Sequence, residues 1–207
     1  MKDIIKAIKT ITKNNNIKSS KTFEMYNTID VYRVDKINPS KQLKLHGYKM
    51  KSESHRYQLF NRDENKCVCC GTKASFWALQ VGKKDKRGVP HLNLYGVDRN
   101  DKIILFTKDH ILPRSLGGED VLENYQIMCQ KCNSKKDNDV DWNALGIEAY
   151  NYSVNVELID GKANIIKHET VVVRANNESN AKGIACKLTR ERAKGCNRSL
   201  PLSIALI

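Results

Sequence analysis

Two Cys-x-x-Cys pairs, Cys67/Cys70 and Cys129/Cys132, constrain this chain more than any other feature. A two-residue spacing lets both sulfurs of a pair reach one ion. Two such pairs supply the tetrahedral thiolate set that suits zinc. Fifty-eight residues separate the pairs, far more than in an ordinary zinc ribbon. The fold must therefore send the chain out and bring it back, so that the second pair closes on the first. Such a site is closed and structural. The simpler alternative is that the cysteines are small buried apolar side chains. Cys69 leaves a Cys-x-Cys pairing with Cys67 open, although Cys70 better suits the two-residue spacing. Cys186 and Cys196 have no partner at knuckle spacing and read as ordinary thiols.

The 207 residues are enough for one main domain with a small appendage. No apolar run reaches the roughly 20 residues of a spanning helix. The apolar end SLPLSIALI better suits a terminal strand. Lysines interrupt the isoleucines of residues 1–20, which excludes a signal-peptide core. The expected location is the cytoplasm, including a host cytoplasm if a phage encodes the protein. Cysteines stay reduced there, and metal is favoured over disulfides.

A net charge of +13 implies an anionic partner, nucleic acid before membrane. Residues 1–60 hold 13 basic against 5 acidic residues, residues 61–150 hold 14 against 13, and residues 151–207 hold 9 against 5. The flanks carry the charge, so they are expected to supply most of the salt-sensitive binding. A basic but merely solvated surface is the alternative.

Ile4, Ile8 and Ile11 mark one face of a basic helix that Asn14-Asn15-Asn16 ends. That helix either packs its stripe on the domain or lies along DNA. Ile29, Val31 and Val34 suggest a short strand, Asn38-Pro39-Ser40 a turn, and residues 54–65 a helix leading into Cys67. Residues 91–95 and 103–106 suggest a hairpin, with an exposed basic loop at 83–88. After Asn143, alternation at Val154, Val156 and Leu158, the Asp160-Gly161 turn and a strand from Ile165 predict a second hairpin. A helix capped near Ser179 and ended by Gly195, then a strand over 199–207, complete a ββαβ module. Lys187, Arg190 and Lys194 are its candidate nucleic-acid contacts. The expected domains are 1–53, 54–143 and 144–207.

Asp109-His110, Asn124 and Asn133 fall between the cysteine pairs or just after them. Phosphodiester hydrolysis needs a base for water, stabilisation of pentacovalent charge and neutralisation of the leaving oxygen. The imidazole of His110 suits the first task. Asp109 and the Asn133 side-chain oxygen can hold a hard divalent ion. Adjacent strand residues point to opposite sides, so a local bend, or the loop after Pro113, is needed to bring both groups to one phosphate. Gly117-Gly118 permits close phosphate approach in that loop. Arg114, Lys135 and Lys136 are candidate phosphate clamps, with exposed surface charge the alternative for each.

The string DHILPRSLGGEDVLENYQIMCQKCNSKKDN, residues 109–138, resembles the HNH nuclease family. So does the lead-in LFNRDENKCVCCG, and the likeness covers about residues 56–139. Thirteen residues separate His110 from Asn124 and eight separate Asn124 from Asn133, spacing typical of that family. The resemblance implies an α+β fold whose ββα-metal core is stapled by a four-cysteine zinc site, beside a basic N-terminal helical region and the C-terminal module. It implies His110 as general base, Asp109 and Asn133 as metal ligands, and Asn124 as the asparagine that pins the loop. Many members have His at the position of Asn133; an oxygen ligand there mildly favours Mg²⁺.

The expected activity is metal-dependent endonucleolytic cleavage of DNA, double-stranded in expectation. Structural Zn²⁺ and catalytic Mg²⁺ or Mn²⁺ are the implied ions. Cutting both strands needs a homodimer or sequential nicking. A homing or phage-type nuclease fits slightly better than a restriction enzyme. The rival class is a zinc-stabilised nucleic-acid-binding module without catalysis; a third is an RNase-like or toxin nuclease.

Overall fold

The computed structural model describes residues 2–38, 44–49, 53–62, 64–137 and 139–207. The expected turn at Asn38-Pro39-Ser40 lies mostly outside them. The chain gathers into two compact units, Met1–Ile111 with Asp120–Asp137, and Leu112–Glu119 with Asn138–Ile207. This division differs from the three segments expected from composition. The amino-terminal residues supply a strand to the first unit's main sheet, and residues 112–119 cluster with the later module.

The first unit begins with α1 (Lys2–Thr12) and the short α2 (Lys21–Glu24), whose N-cap Ser20 accepts from Phe23 N. Strand β1 (Tyr26–Arg33), a small β2 (Lys44–Leu45) and β3 (Tyr48–Lys49) ribbon, and α3 (His55–Arg62) follow. Then come β4 (Ala74–Gly82), β5 (His91–Val97), β6 (Ile103–His110), β7 (Tyr125–Cys129) and α4 (Gln130–Lys136). The main sheet runs β1-β4-β5-β6-β7, each neighbour antiparallel.

Helices cover both faces of this sheet, and that explains its sequence. Phe76 and Ala78 of β4 pack with Ile8, Phe23, Val31 and Tyr95. Trp77 and Leu79, which alternate with them, pack with Tyr57, Leu59, Phe60, Leu92 and Leu94. A strand buried on both sides reads as a continuous apolar run rather than an alternation. SFWALQV carried that signal, yet no strand was expected there, because periodicity does not mark such a run. The α1 stripe is core: Ile8 is fully buried.

Gly96 fits where side chains do not. A Cβ there would run into the Lys73 carbonyl and crowd the Phe106 ring. The missing side chain seats Phe106 at the point where β6 changes partner. β6 pairs with β5 over Ile103 to Leu105, and with β7 from Phe106 to His110. The last half of β6 thus belongs to a two-stranded stem.

The second unit contains β8 (Tyr150–Ile159), β9 (Ile165–Ala175), α5 (Glu178–Arg192) and β10 (Arg198–Leu206), with sheet order β10-β8-β9. This is the expected ββαβ arrangement. Tyr152, Val154, Val156 and Leu158 face α5, where Ala181 and Ala185 allow close approach. The N-cap is Asn177, not Ser179: its side chain accepts from Asn180 N at 2.9 Å. The helix ends at Arg192, before Gly195, so Lys194 lies beyond it. Asn180, nearly buried, donates to the Leu116 carbonyl at 2.9 Å and so ties down residues 112–119.

Candidate metal centre and active site

The first cysteine pair sits on a tight knuckle. Cys67 N donates to Thr72 O, Gly71 N donates to Cys67 O, and Gly71 takes φ 71°, the left-handed region open to glycine. Val68 N donates to Ile127 O at 3.0 Å, which fastens the knuckle to β7. Cys129 ends β7 and Cys132 lies in the first turn of α4. The four Sγ atoms of Cys67, Cys70, Cys129 and Cys132 lie within 4.8 Å of one another, and Cys70 to Cys129 is 3.8 Å. A tetrahedron with metal–sulfur bonds of about 2.3 Å separates its sulfurs by about 3.8 Å. The donor set therefore fits one zinc-sized ion. Cys69 is exposed and outside this set.

The thiols differ in acidity. Burial pushes Cys129 up to about 11, and burial together with hydrogen bonding among its neighbouring sulfurs pushes Cys132 up further. Burial also raises Cys70, but hydrogen bonds with Thr72 overcome it and bring that thiol down to about 6. Bringing all four to thiolate needs the charge of an ion.

The end of the β6–β7 stem presents two groups on opposite faces. In one, Asp109, mostly buried, accepts from Gln126 Nε2 at 2.8 Å and pairs with Lys136 Nζ at 3.1 Å. Lys136 also donates to the His110 carbonyl at 2.8 Å. Two residues back on this face, Thr107 Oγ1 accepts from Asn133 Nδ2 at 2.9 Å while donating to Met128 O. In the other group, His110 Nε2 meets Asp120 Oδ1 at 2.7 Å, and Tyr125 OH donates to the same oxygen at 2.7 Å. The His110 and Tyr125 rings stand edge to face, 4.7 Å between centroids, and Lys108 Nζ lies 3.6 Å over the Tyr125 ring.

Antiparallel pairing runs unbroken through Asp109↔Gln126 to His110↔Tyr125. No register shift marks a bend here, which leaves the loop after Pro113 as the other expected way to bring both groups to one phosphate. A carboxylate faces α4, an imidazole faces away, and one strand end presents both.

Residues 100–145 match the family model described as HNH endonuclease. This segment belongs to the HNH endonuclease family. The match spans β6, the loop, β7 and α4 but not the first knuckle, so it is narrower than the likeness drawn from residues 56–139. Comparison with curated proteins and with solved structures gives no match. An HNH match suggests a nuclease, and HNH nucleases use divalent metals. No helix among the described residues is long and apolar enough to cross a membrane.

Within the HNH segment the expected residues fall into three situations. Asp109, Asn133 and Lys136 share one face of the stem, but Lys136 is ion-paired to Asp109 and is not a free phosphate clamp. His110 stands on the other face. Asn124 closes the loop through its backbone, its carbonyl accepting from Ile111 N at 2.9 Å and its N donating to Val121 O at 3.1 Å. Lys135 is exposed on α4. Arg114 lies in residues 112–119 and belongs to the second unit. There, Arg190 is exposed and Lys187 pairs with Glu191 at 3.9 Å.

Asp120, Tyr125 and Gln126 were not expected in the site. Asp120 directly follows the Gly-Gly-Glu of the loop, and its position where the chain rejoins β7 was the available signal. The partner roles of Tyr125 and Gln126 follow only from strand register.

The oxygen donors of Asp109 and Asn133 suit a hard divalent ion. The Lys136 ammonium already sits as a cation on Asp109, so this face of the HNH segment accommodates positive charge.

Proposed function

We propose that the protein is a metal-dependent endonuclease that hydrolyses DNA phosphodiester bonds. What supports this is the strand end within the HNH segment, where Asp109 and His110 are held by different partners on its two faces, and the loop after Pro113 is assigned to bring the phosphate to both. A carboxylate oxygen accepts, so Asp120 requires a proton on His110 Nε2 and leaves Nδ1 with its lone pair. In this reading Nδ1 takes a proton from the attacking water as its oxygen bonds to phosphorus. The bond to the 3′ oxygen breaks, that oxygen gains a proton, and a 5′-phosphate remains. Asp109 and Asn133 are assigned to hold Mg²⁺ or Mn²⁺, and Zn²⁺ to the four cysteines. The divalent ion, when bound, supplies charge that stabilises the phosphorane and the leaving oxygen. Asn124 is assigned to pin the loop and so orient the base. Arg114, Lys135, Lys187, Arg190 and Lys194 are assigned to backbone phosphates of duplex DNA, and a homodimer or successive nicks would cut both strands.

A second reading, a zinc-stabilised nucleic-acid-binding module without catalysis, is favoured by one observation. Lys136 already supplies a cation to Asp109, and the Asn133 side-chain nitrogen donates to Thr107 Oγ1. Nicking of supercoiled plasmid with Mg²⁺ or Mn²⁺ separates the two. His110→Ala is expected to lower the nicking rate by roughly 10²–10⁴-fold while DNA binding survives. Wild-type protein that holds zinc and binds plasmid without ever nicking it supports the second reading.

A further inference from the structure

Helix α4 has a second face, of which the proposed site draws only on Lys135. At about 100° per residue, Lys131 and Lys135 point in one direction and Asn133 and Lys136 point about 150° away from it. The burial agrees: Lys131 and Lys135 are exposed, whereas Asn133 and Lys136 are half-buried against β6. On their own side Lys131 and Lys135 line a groove of about 560 Å³, together with Arg99 and Thr72. Its floor holds Cys70, Cys129 and Cys132, and Asp98 is its one carboxylate among the described residues.

Three cations around a tetrathiolate have a ready alternative role, which is to balance the charge that four thiolates and one divalent ion leave behind. Cations serving only that purpose would donate to sulfur. Among the described residues no hydrogen bond runs from Arg99, Lys131 or Lys135 to a sulfur, and none of the three is ion-paired. Asp98 is engaged otherwise, accepting from Asn100 N and Lys102 N. The neighbouring Lys136, by contrast, has two acceptors within the protein. Cations left without acceptors on a concave wall are set for an anion from outside.

We propose that Arg99, Lys131 and Lys135 form a second nucleic-acid site, which takes backbone phosphates on the side of α4 opposite Asp109. This rests on the endonuclease reading for the identity of the anion. A helix with side chains is about 10 Å across, so the groove engages phosphates other than the one that is cut, and α4 lies across the backbone.

The test uses full-length protein carrying His110→Ala, so that the duplex probe stays intact. Dissociation constants are measured from about 50 to 200 mM salt, with and without Arg99→Ala, Lys131→Ala and Lys135→Ala together. Zinc content and melting temperature are recorded for both. Losing three phosphate contacts is expected to reduce the slope of log affinity against log salt by about 2–3, and to weaken binding at least about 10-fold at the low-salt end. An unchanged slope with zinc retained overturns the proposal. So does loss of zinc without loss of duplex affinity, which would assign the cations to the cluster. Inorganic phosphate that raises the melting temperature only when the three cations are present, with duplex affinity unaffected, would make this a small-anion site and also overturn it. Failure of the endonuclease reading looks different: protein with His110 intact would not nick plasmid, whatever the groove variant does.

Discussion

The cysteine cluster and the hard-oxygen face of the stem are built from the same stretch of chain, but they are held in opposite ways. Four sulfurs converge within 4.8 Å with their acidities disturbed by burial and by one another. Asp109 is paired with Lys136, and the Asn133 side-chain nitrogen donates to Thr107 Oγ1. The first converges on a space that suits an ion, and the second already holds a cation, the Lys136 ammonium, on its carboxylate. An ion bound at the cysteines would therefore complete the fold, whereas one bound at Asp109 would have to compete with an internal ammonium.

The largest effect that would break this contrast is at the cysteines. Cys132→Ser is expected to release zinc and lower the melting temperature by more than about 10 °C, because structural zinc supplies about 10 kcal/mol or more in small zinc domains. An unchanged melting temperature would show that the four do not share an ion. The pH dependence has a fixed sign. Cys129 and Cys132 hold their protons above the ordinary thiol range, and zinc binds only the thiolates. Protons therefore compete, and zinc loss to a chelator should accelerate as pH falls and slow as it rises. Equal release rates at acidic and mildly alkaline pH would contradict this.

A smaller effect sharpens the other half. Lys136→Met removes the cation from a largely buried carboxylate and should cost about 3 kcal/mol in stability without divalent ions. Mg²⁺ should restore more of the melting temperature in this variant than it adds to the wild type. If Mg²⁺ shifts both equally, the ion does not go to Asp109. The smallest effect is in the second unit. Asn180→Ala, which loses the bond to the Leu116 carbonyl, should cost about 1–2 kcal/mol. A wild-type melting profile would mean that this bond does not hold residues 112–119.

Elements with local periodicity or punctuation were legible in the sequence. The α1 stripe, the alternation of β8, the Asp160-Gly161 turn and the knuckle spacing each needed only neighbours within a few residues. β4 was not legible, because burial on both faces erases its period, and neither was its antiparallel pairing with the distant β1. In the site, the motif residues were found, but their partners were not. That Lys136 meets Asp109 depends on the angular setting of α4, and that Asp120 meets His110 depends on where the loop rejoins β7. Both are tertiary facts that spacing does not encode. The expected bend at Asp109-His110 came from requiring both side chains on one side, whereas the pairing to Gln126 and Tyr125 keeps strand alternation to the last residue.

The bond from Asn180 to Leu116 has a consequence for modularity. The chain enters the second unit for eight residues, Leu112–Glu119, returns to complete the first, and only then builds the rest of the second. The boundary is crossed three times, so no single cleavage separates two self-sufficient pieces. Ending the protein after Asp137 would leave those eight residues without the helix that binds them, on the stretch joining His110 to Asp120. A recombination event that exchanged the later module would likewise have to bring a compatible loop with it. In this architecture residues 112–119 and the later module form one compact unit although the HNH strands interrupt them in sequence.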